Sequence, residues 1–331
     1  MNVLITGGCG FIGFQLAKYY IKKGYRVYIL DKLFKTEGSL DRDLSEFLDH
    51  PNVHFEKVDM TKPFIEHKGL KRLPMEFSYV FHLAAINGTR LFYEMAYELC
   101  RNNLLLTINF LDWLKAEGKQ VKRLVYTSTS EVYAEVYKLG LLEIPTDETV
   151  PVAFTQPTRT RFSYGTSKFI GSFLCSQFCK KYKISTTIIR YHNIYGPRMG
   201  NKHVIPEFIM RFNDGENPFK LFGGKETRAF CYIDDAVKAT YRIGKTKGLD
   251  QEIVHVGNQA EEISIEDLAR KVMDKMGKDV PIVDIKNERD SSVKRRCPNT
   301  KKLKEKTGFE AKVFLSEGLE KTVHWYLNQD G

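Results

Sequence analysis

The chain has 331 residues, of which 42% are hydrophobic and 28% charged, as in a globular protein of one large or two modest domains. Its apolar runs are too short to span a membrane, and the strand-like segment directly after Met1 predicts that there is no signal peptide, so we expect a cytoplasmic protein. The net charge of +10 comes from scattered lysines and arginines, which favours a basic surface suited to a small anion over nucleic-acid binding.

Short β-branched runs alternate with longer helical patterns over the first 190 residues. These patterns predict strands over 3–6, 26–31, 53–58, 79–83, 121–128 and 185–190, with helices over 11–23, 91–116 and 163–182. Strands that alternate with helices predict βαβ units. The expected fold class is therefore α/β, with a doubly wound parallel sheet.

The pattern changes beyond Tyr195, where glycine and proline separate shorter elements. A return strand is expected near 252–256, and two late helices are expected over 265–276 and 316–327. We expect a first domain over 1–190 that regains a segment at about 228–258, and a smaller α/β lobe over 191–331 with an interleaved boundary.

The six cysteines predict reduced and mostly buried thiols. They contain no CxxC pair, and no histidine cluster accompanies them. We therefore expect neither a disulfide framework nor a metal site.

Three glycines mark the passage from the first predicted strand into the first predicted helix. Gly7, Gly10 and Gly13 form a GxxGxxG pattern, which permits a tight turn and a close approach of the backbone to a pyrophosphate at the helix N-terminus. Asp31 ends the next strand, where its carboxylate would accept hydrogen bonds from a ribose 2′-hydroxyl and repel a 2′-phosphate. The pattern predicts a Rossmann-type fold with NAD, rather than NADP, as cofactor.

Further residues near strand ends extend the predicted NAD site. Asp59 is placed to meet the adenine amino group, and the small residues after His82 leave room for the dinucleotide to pass. The residues predicted around the cofactor, besides the three glycines and Asp31, are Phe11, Ile12, Asp59, Met60, Leu83, Ala84 and Ala85.

Tyr164 and Lys168 lie four residues apart on one face of a predicted helix. A phenolate can take the proton of an alcohol as hydride leaves to a nicotinamide. Because the ordinary phenol pKa of about 10 makes a poor base near neutrality, an adjacent cation must stabilise the phenolate. Thr129, at the end of a preceding sheet strand, can hydrogen-bond the same reacting hydroxyl.

Together these motifs resemble the extended short-chain dehydrogenase/reductase superfamily, in its nucleotide-sugar epimerase/dehydratase branch. The resemblance covers nearly the whole chain. It rests on GGxGFIG at Gly7, HLAA at His82, a reduced helix motif at Asn103, STSEVY at Ser128, YxxxK at Tyr164, RYHNIYGPR at Arg190, RAFCYID at Arg228 and the stretch from Arg289 to Arg296. Leu106, Ala134 and Ala229 depart from the family pattern, replacing two glycines and an aspartate.

The resemblance implies an NAD-dependent enzyme that oxidises C4 of a nucleotide-diphosphate sugar, a precursor of surface polysaccharides or related glycans. It implies Thr129, Tyr164 and Lys168 as the catalytic set, and it adds Asn103, Tyr164 and Lys168 to the NAD site. The substrate residues that it implies are Asn193, Arg198, Val204, Arg228, Arg289 and Arg296. Arginines suit a diphosphate because each offers a planar fork of donors.

The two residues that directly precede Val132 and Tyr133 help to decide which reaction follows oxidation at C4. Dehydration needs a base for the C5 proton and an acid for the C6 hydroxyl, which family dehydratases often supply as adjacent Asp and Glu. Here Ser130 and Glu131 stand in these places, and similar pairs occur in decarboxylases of uronic acids, together with an arginine that Arg296 could match. Glu131 argues against a plain epimerase. Epimerisation, dehydration, decarboxylation, net C4 dehydrogenation and a non-catalytic NAD-binding scaffold all remain alternatives.

The two long predicted helices carry apolar residues on more than one face, as in relatives that pair such helices in a dimer. Phe169, Phe173, Leu174 and Phe178 either serve that interface or pack inward. We expect a homodimer with a nucleotide-diphosphate sugar as partner, and neither a nucleic-acid nor a membrane partner. The nucleotide base and the sugar leave no decisive mark in the sequence.

Overall fold

The structure is a computed structural model that describes residues 1–33, 41–64, 67–285 and 293–328. Its strands are, in chain order, β1 (Asn2–Thr6), β2 (Arg26–Asp31), β3 (Val53–Lys57), β4 (Glu76–Phe77), β5 (Tyr79–His82), β6 (Gln120–Val121), β7 (Arg123–Thr129), β8 (Ser185–Tyr191), β9 (Ile194–Tyr195), β10 (Phe219–Phe222), β11 (Thr227–Ala229), β12 (Cys231–Tyr232), β13 (Glu252–Val256), β14 (Glu262–Ser264), β15 (Ile282–Ile285) and β16 (Arg295–Arg296).

The helices predicted over 11–23, 163–182, 265–276 and 316–327 are present and begin and end within one residue of these bounds. In chain order, the helices of the structure are α1 (Phe11–Lys22), α2 (Arg42–Leu48), α3 (Thr89–Glu94), α4 (Ala96–Ala116), α5 (Ala134–Lys138), α6 (Ser163–Lys181), α7 (Val204–Asn213), α8 (Ile233–Lys245), α9 (Ile265–Lys275), α10 (Lys301–Thr307) and α11 (Leu315–Leu327). None of the helices in the described ranges combines the length and the apolar character needed to cross a membrane.

A seven-stranded sheet forms the centre of the fold, in the order β13-β8-β7-β5-β1-β2-β3. The pairs β1–β2, β1–β5, β2–β3 and β5–β7 are parallel. In β1, Val3, Leu4 and Ile5 are all fully buried, as expected for a central strand whose two faces are both covered by other elements. The predicted α/β fold with a doubly wound parallel sheet is confirmed.

The strand order reverses beside β1, because β2 follows on one side and β5 lies on the other. Ligands of open α/β sheets bind outside the carboxyl ends of the strands at such a reversal. The segments that leave β1, β5 and β7 at this edge are the glycine turn, residues 83–85 and the turn that begins at Ser130. The fold therefore places these three segments at the edge where a dinucleotide is expected.

The helix predicted over 91–116 is wrong as a single element. The chain forms α3 and then α4, with Met95 between them at φ −136° and ψ 43°, outside the helical region. Neither glycine nor proline marks the break, so the local sequence carries no signal for it. Because of the break, Phe92 lies in the short helix α3, which directly precedes the long helix α4.

The described chain divides into two compact units. The first comprises the described residues of Met1–Val132, Ala153–Arg190 and Val237–Val254, and the second comprises those of Tyr133–Val152, Tyr191–Ala236 and His255–Gly331. The first unit has a core of strand and helix residues that includes Phe77, Phe110 and Trp113, each fully buried. The second unit contains a three-stranded sheet in the order β14-β11-β16.

Candidate active site

The glycine turn after β1 is closely packed against backbone. A Cβ atom on Gly7 would lie 2.8 Å from Cα of Ala84, and Gly7 has a φ of +71°, which side-chain-bearing residues rarely adopt. A Cβ on Gly13 would lie 2.2 Å from the carbonyl oxygen of Gly7. Gly10 is the N-cap of α1, and Phe11 and Ile12 begin that helix. The turn therefore has the tight backbone that a pyrophosphate site requires, and these residues fit a dinucleotide.

Two carboxylates follow the neighbouring strands. Asp31 accepts hydrogen bonds from the backbone N–H of Cys9 (3.0 Å) and of Leu33 (2.8 Å), so it ties the glycine turn to the end of β2. A carboxylate at this place can accept hydrogen bonds from ribose hydroxyls, as the sequence predicts. Asp59 accepts from the hydroxyl of Thr61 at 2.6 Å and lies 3.5 Å from the ammonium of Lys32. Burial opposes ionisation of Asp59, but the hydrogen bonds from Thr61 and the Lys32 charge lower its pKa overall.

The end of β5 is fixed by buried polar side chains. His82 is fully buried, with Nδ1 2.7 Å from the hydroxyl of Thr6 and Nε2 3.2 Å from that of Thr107. Burial, followed by the charge of Lys168, lowers the pKa of His82 to about 3, so its ring is neutral. Leu83, Ala84 and Ala85 continue from this strand and are half-buried.

Asn103 anchors the same segment from α4. Its Oδ1 accepts a hydrogen bond from the backbone N–H of Ile86 at 2.7 Å, and its Nδ2 donates to the carbonyl of Ile86 and to the hydroxyl of Ser167. Ser167 in turn donates to the backbone carbonyl of Tyr164 at 2.8 Å. Asn103 therefore joins the segment after β5 to the helix that carries the Tyr–Lys pair. The backbone carbonyl of Met60, another predicted cofactor residue, accepts from Asn109.

Tyr164 and Lys168 are both buried in the first turns of α6. Burial, followed by the negative charge of Glu131, raises the pKa of Tyr164. Burial lowers the pKa of Lys168 to about 7. The ammonium of Lys168 lies 4.4 Å from the centroid of the Tyr126 ring, a favourable arrangement for a cation over an aromatic face. The pair thus lies in an environment that opposes charge on both groups.

Thr129 is the last residue of β7, and Ser130 and Glu131 begin the turn that follows it. The backbone N–H of Glu131 donates to the hydroxyl of Thr129 at 3.2 Å, which fixes the start of this turn. Ser130 is buried, and the side chain of Glu131 is 15% exposed. Within the first unit the structure brings this turn close to the start of α6, because a Cβ on Gly165 would lie 2.7 Å from the backbone oxygen of Glu131.

Sequence reasoning missed two residues near this turn. Arg161 forms an ion pair with Glu131, with Nη2 2.7 Å from Oε2, and both side chains are largely buried. Phe92 stacks on the ring of Tyr164 with a centroid distance of 5.3 Å and an interplanar angle of 8°. Arg161 had a sequence signal, since it lies three residues before Tyr164 and hence about one turn away. Phe92 had none, because only the tertiary fold brings it to the phenol.

Two predicted substrate arginines are neighbours in the sheet of the second unit. Arg228 and Arg296 are aligned partners on the parallel strands β11 and β16, and such partners lie side by side on the same face of a sheet. Arg228 forms an ion pair with Glu226 at 2.7 Å and donates to the backbone carbonyl of Thr227 at 2.8 Å. The strand register therefore places two guanidinium groups side by side, and one of them is paired with the Glu226 carboxylate.

The other predicted substrate residues have separate surroundings in the second unit. Asn193 donates from Nδ2 to the carbonyl of Ala229 at 3.0 Å and has a φ of 41°. Arg198 is half-buried with a φ of 69°, and Val204 is the half-buried first residue of α7. Arg289 lies outside the described residues. Among the described residues, no group of three or more His, Cys, Asp and Glu could hold a metal ion.

Residues 3–257 of the chain match the NAD dependent epimerase/dehydratase family. The chain belongs to this family. The membership that the motifs indicate is confirmed, and the family enzyme uses NAD, consistent with the fit of the glycine turn. The roles of individual site residues stay predictions.

Relatives of this family enzyme align over almost its full length. The UDP-N-acetyl-α-D-glucosaminuronate decarboxylase of Bacillus cytotoxicus is 31% identical over 331 residues, covering 98% of this chain and 97% of the relative. UDP-glucuronic acid decarboxylase 6 of Arabidopsis thaliana is 31% identical and covers 96% of this chain and 87% of the relative.

Solved structures show the same fold. UDP-glucose 4-epimerase of Thermotoga maritima, with UDP-glucose, has a TM-score of 0.84 at 27% identity and covers 100% of both chains. A variant of UDP-glucuronic acid 4-epimerase from Bacillus cereus, in complex with UDP-4-deoxy-4-fluoro-glucuronic acid and NAD, has a TM-score of 0.83 at 26% identity and covers 99% of both chains. The family enzyme thus resembles proteins that act on or bind nucleotide sugars.

Proposed function

We propose that this enzyme decarboxylates a UDP-linked uronic acid. The observation that carries the proposal is the Ser130–Glu131 turn, in which the Glu131 carboxylate is paired with Arg161 at 2.7 Å. Relatives from Bacillus and Arabidopsis that align over nearly the whole chain are decarboxylases of UDP-linked uronic acids, which supports the same reaction here.

The same turn argues against dehydration across C5 and C6. That reaction needs an acid that protonates the departing C6 hydroxyl, and Ser130 stands where family dehydratases often have an aspartate. Glu131 leaves a single carboxylate in this turn, held in an ion pair with Arg161 at 2.7 Å, so the adjacent pair of acids is incomplete. A decarboxylation has no hydroxyl to expel and therefore does not need this acid.

Oxidation at C4 comes first and prepares the C5–C6 bond for cleavage. Residues of the glycine turn, together with Asp31, would hold NAD, which when bound accepts the C4 hydride and later returns it. Tyr164, as phenolate, takes the proton of the C4 hydroxyl, and the Thr129 hydroxyl orients that oxygen by a hydrogen bond. The ammonium of Lys168 stabilises the phenolate, which the buried site otherwise disfavours.

Loss of carbon dioxide then follows from the position of the new ketone. The C5–C6 bond breaks, C6 leaves as carbon dioxide, and the bonding electron pair moves into an enolate that spans C5, C4 and the C4 oxygen. C5 takes one proton that comes ultimately from solvent, and Tyr164 gives its proton back to the C4 oxygen when the ketone is reduced. The net change is one uronate and one proton converted to one pentose and one carbon dioxide, with no net oxidation of the cofactor.

The diphosphate of the substrate would bind to the arginines of the second unit. Arg228 and Arg296, aligned on β11 and β16, offer two guanidinium groups to phosphate oxygens. Glu226 already neutralises part of the charge of Arg228, and the planar fork of a guanidinium suits the oxygens of a diphosphate.

Epimerisation at C4 is the second candidate. It requires rotation of the 4-keto sugar and return of hydride to the other face, and it uses the same Tyr–Lys pair. The UDP-glucuronate 4-epimerase of Thermodesulfobacterium geofontis, 29% identical over 97% of this chain, supports this alternative. It also acts on a UDP-uronate, so both candidates share a substrate class.

Mass spectrometry and NMR of products distinguish the candidates. The purified enzyme is incubated with UDP-glucuronate, UDP-N-acetylglucosaminuronate and neutral nucleotide sugars. Loss of carbon dioxide from a UDP-uronate is the expected result. An unchanged mass with an inverted C4 establishes epimerisation instead, and loss of water or of two hydrogens establishes dehydration or net dehydrogenation.

Tyr164→Phe is the control for these incubations. It removes the proton acceptor and should reduce turnover by about 10²- to 10⁴-fold while bound NAD is retained. Full turnover in this variant would contradict the assignment of Tyr164. Absence of any product with the wild-type enzyme, despite bound NAD, would favour the non-catalytic scaffold.

A further inference from the structure

Arg161 and Glu131 form an ion pair that is largely withdrawn from water. Their side chains are 14% and 15% exposed, and the N–O distance is 2.7 Å. Ion pairs in such surroundings are less screened than those on the surface, and removal of one partner leaves an uncompensated charge. The guanidinium therefore restricts the direction of the Glu131 carboxylate.

Arg161 also contacts the ring that stacks on the phenol. Its guanidinium carbon lies 5.5 Å from the centroid of the Phe92 ring, and Phe92 stacks on Tyr164 nearly in parallel. Phe92 is 4% exposed and forms a small apolar cluster with Leu99 and Tyr164. The ring plane of Tyr164 is thus set by a residue that Arg161 itself contacts.

The backbone also connects Arg161 with the turn that carries Glu131 and with the helix that carries Tyr164. Arg161 lies in the short 3-10 turn Thr160–Phe162, which leads directly into α6 and Tyr164. Gly165, next to Tyr164, permits the backbone oxygen of Glu131 to approach closely, since a Cβ there would lie 2.7 Å away. Movement of Arg161 would therefore disturb both the turn that carries Glu131 and the start of the helix that carries the phenol.

We propose that Arg161 is a positioning residue of the reaction: it directs the Glu131 carboxylate and, through Phe92, fixes the ring of Tyr164. This inference rests on the proposed roles of Tyr164 and Glu131. Arg161 itself need not touch the substrate. Its effect is therefore expected in the chemical step rather than in substrate binding.

The test measures kcat and KM of Arg161→Met, Arg161→Lys, Glu131→Gln and Phe92→Leu as purified enzymes with bound NAD. Arg161→Met should lower kcat about 100-fold and change KM by less than about threefold, because misplacement of reacting groups affects the chemical step. Arg161→Lys keeps the charge and should recover about tenfold of the loss, although it lacks the planar fork.

A double-variant cycle identifies the route by which Arg161 acts. If it acts through Glu131, Arg161→Met combined with Glu131→Gln should be within about threefold of the worse single variant. The same comparison with Phe92→Leu tests the route through the phenol ring. The first double variant also leaves no unpaired charge, so it tests the proposal if Arg161→Met alone folds poorly.

Arg90→Met is the matched control. Arg90 forms an exposed ion pair with Glu94 at 2.6 Å on α3, the helix that also carries Phe92. Its removal should leave kcat and KM unchanged, because exposed pairs of this kind contribute little. Melting temperature and NAD content of every variant show whether a loss of kcat has a purely structural origin.

Three results would overturn the proposal. The first is a kcat of Arg161→Met within about threefold of wild type. The second is an effect of Arg161→Met on kcat that multiplies with the effects of both Glu131→Gln and Phe92→Leu. The third is a loss of kcat that follows the melting temperature and that Arg161→Lys does not restore. If the wild-type enzyme converts a nucleotide sugar other than a UDP-uronate, the same variants are assayed on that sugar. Failure of the proposed function and failure of the positioning role are thereby told apart.

Discussion

The ammonium group of Lys168 is enclosed by protein, with 3% of the residue exposed, although a charged group is costly to bury. Burial lowers the pKa of Lys168 to about 7 and raises that of Tyr164. Each shift opposes the charged form that the proposed mechanism uses, because a phenolate requires a cation beside it. Burial of this pair therefore costs folding stability, as is common where buried groups are catalytic.

Lys168→Met should stabilise the cofactor-free protein while it abolishes turnover. The free energy of unfolding of the wild type should rise with pH from about 7 towards the ordinary lysine pKa of 10.5, because in this range the unfolded chain holds a proton that the folded chain has released. The advantage of the variant is therefore fully present below about pH 7, on the order of a few kcal/mol, and fades as the pH rises towards 10.

Urea unfolding at pH 6 and pH 9 would measure this difference. Lys180→Met, an exposed position on the same helix, is the control, and its difference in stability from wild type should be small and nearly equal at the two pH values. A variant at Lys168 that is less stable than wild type at pH 6 would show that the contact with the Tyr126 ring outweighs the cost of burial.

At the scale of elements, the strand–turn–helix unit of β1 and α1 depends on backbone approach rather than on side-chain chemistry. Gly7 and Gly13 lie against backbone atoms that cannot move independently of the sheet and the helix. Gly24, just beyond α1, has a φ of +78° but no atom within 4 Å of its would-be Cβ. Substitutions at Gly13 and at Gly24 therefore distinguish the effect of steric crowding from that of backbone strain.

Gly13→Ala should reduce NAD affinity by at least about tenfold, because the added methyl group would displace the turn from the pyrophosphate site. Gly24→Ala should cost about 1–2 kcal/mol of stability through its left-handed backbone and leave NAD affinity nearly unchanged. Titration of NAD by calorimetry, together with the amount of NAD that copurifies, measures the effect. Equal NAD binding by the two variants would contradict the role of the turn.

On the scale of the whole molecule, an apolar surface on α4 and α6 remains exposed in the single chain. Tyr97 is 73% exposed, Ile108 38%, Phe169 37% and Phe173 58%. These residues lie on the two helices that the sequence predicts to form a dimer interface, whereas Leu174 and Phe178 pack against the core of the first unit. Large apolar side chains that remain exposed on neighbouring helices favour association.

We expect a homodimer at micromolar concentration and a monomer in Phe173→Lys, because a buried lysine at the interface would lack a partner. Light scattering measures the mass of both. Phe314→Lys is the control, since Phe314 is 70% exposed in the second unit and should not affect the dimer. A monomeric wild-type protein would contradict the prediction.

The local sequence determined the parts of this protein that depend on residues close together in the chain. The GxxGxxG turn, the alternation of strands and helices, and the spacing of Tyr164 and Lys168 are properties of segments in which strand and helix periodicity alone sets the geometry. These features were sufficient to predict the fold class, the cofactor and the family. The break at Met95 was not predictable, because no residue with a strong backbone preference marks it.

Only the tertiary structure decided the contacts between distant segments. Phe92 reaches Tyr164, and Arg161 reaches Glu131, because separate elements of the first unit pack together. Arg228 and Arg296 become neighbours through the register of β11 and β16. Such pairings depend on register and packing across the whole fold, whereas a sequence pattern reports only the direction of a side chain within its own helix or strand.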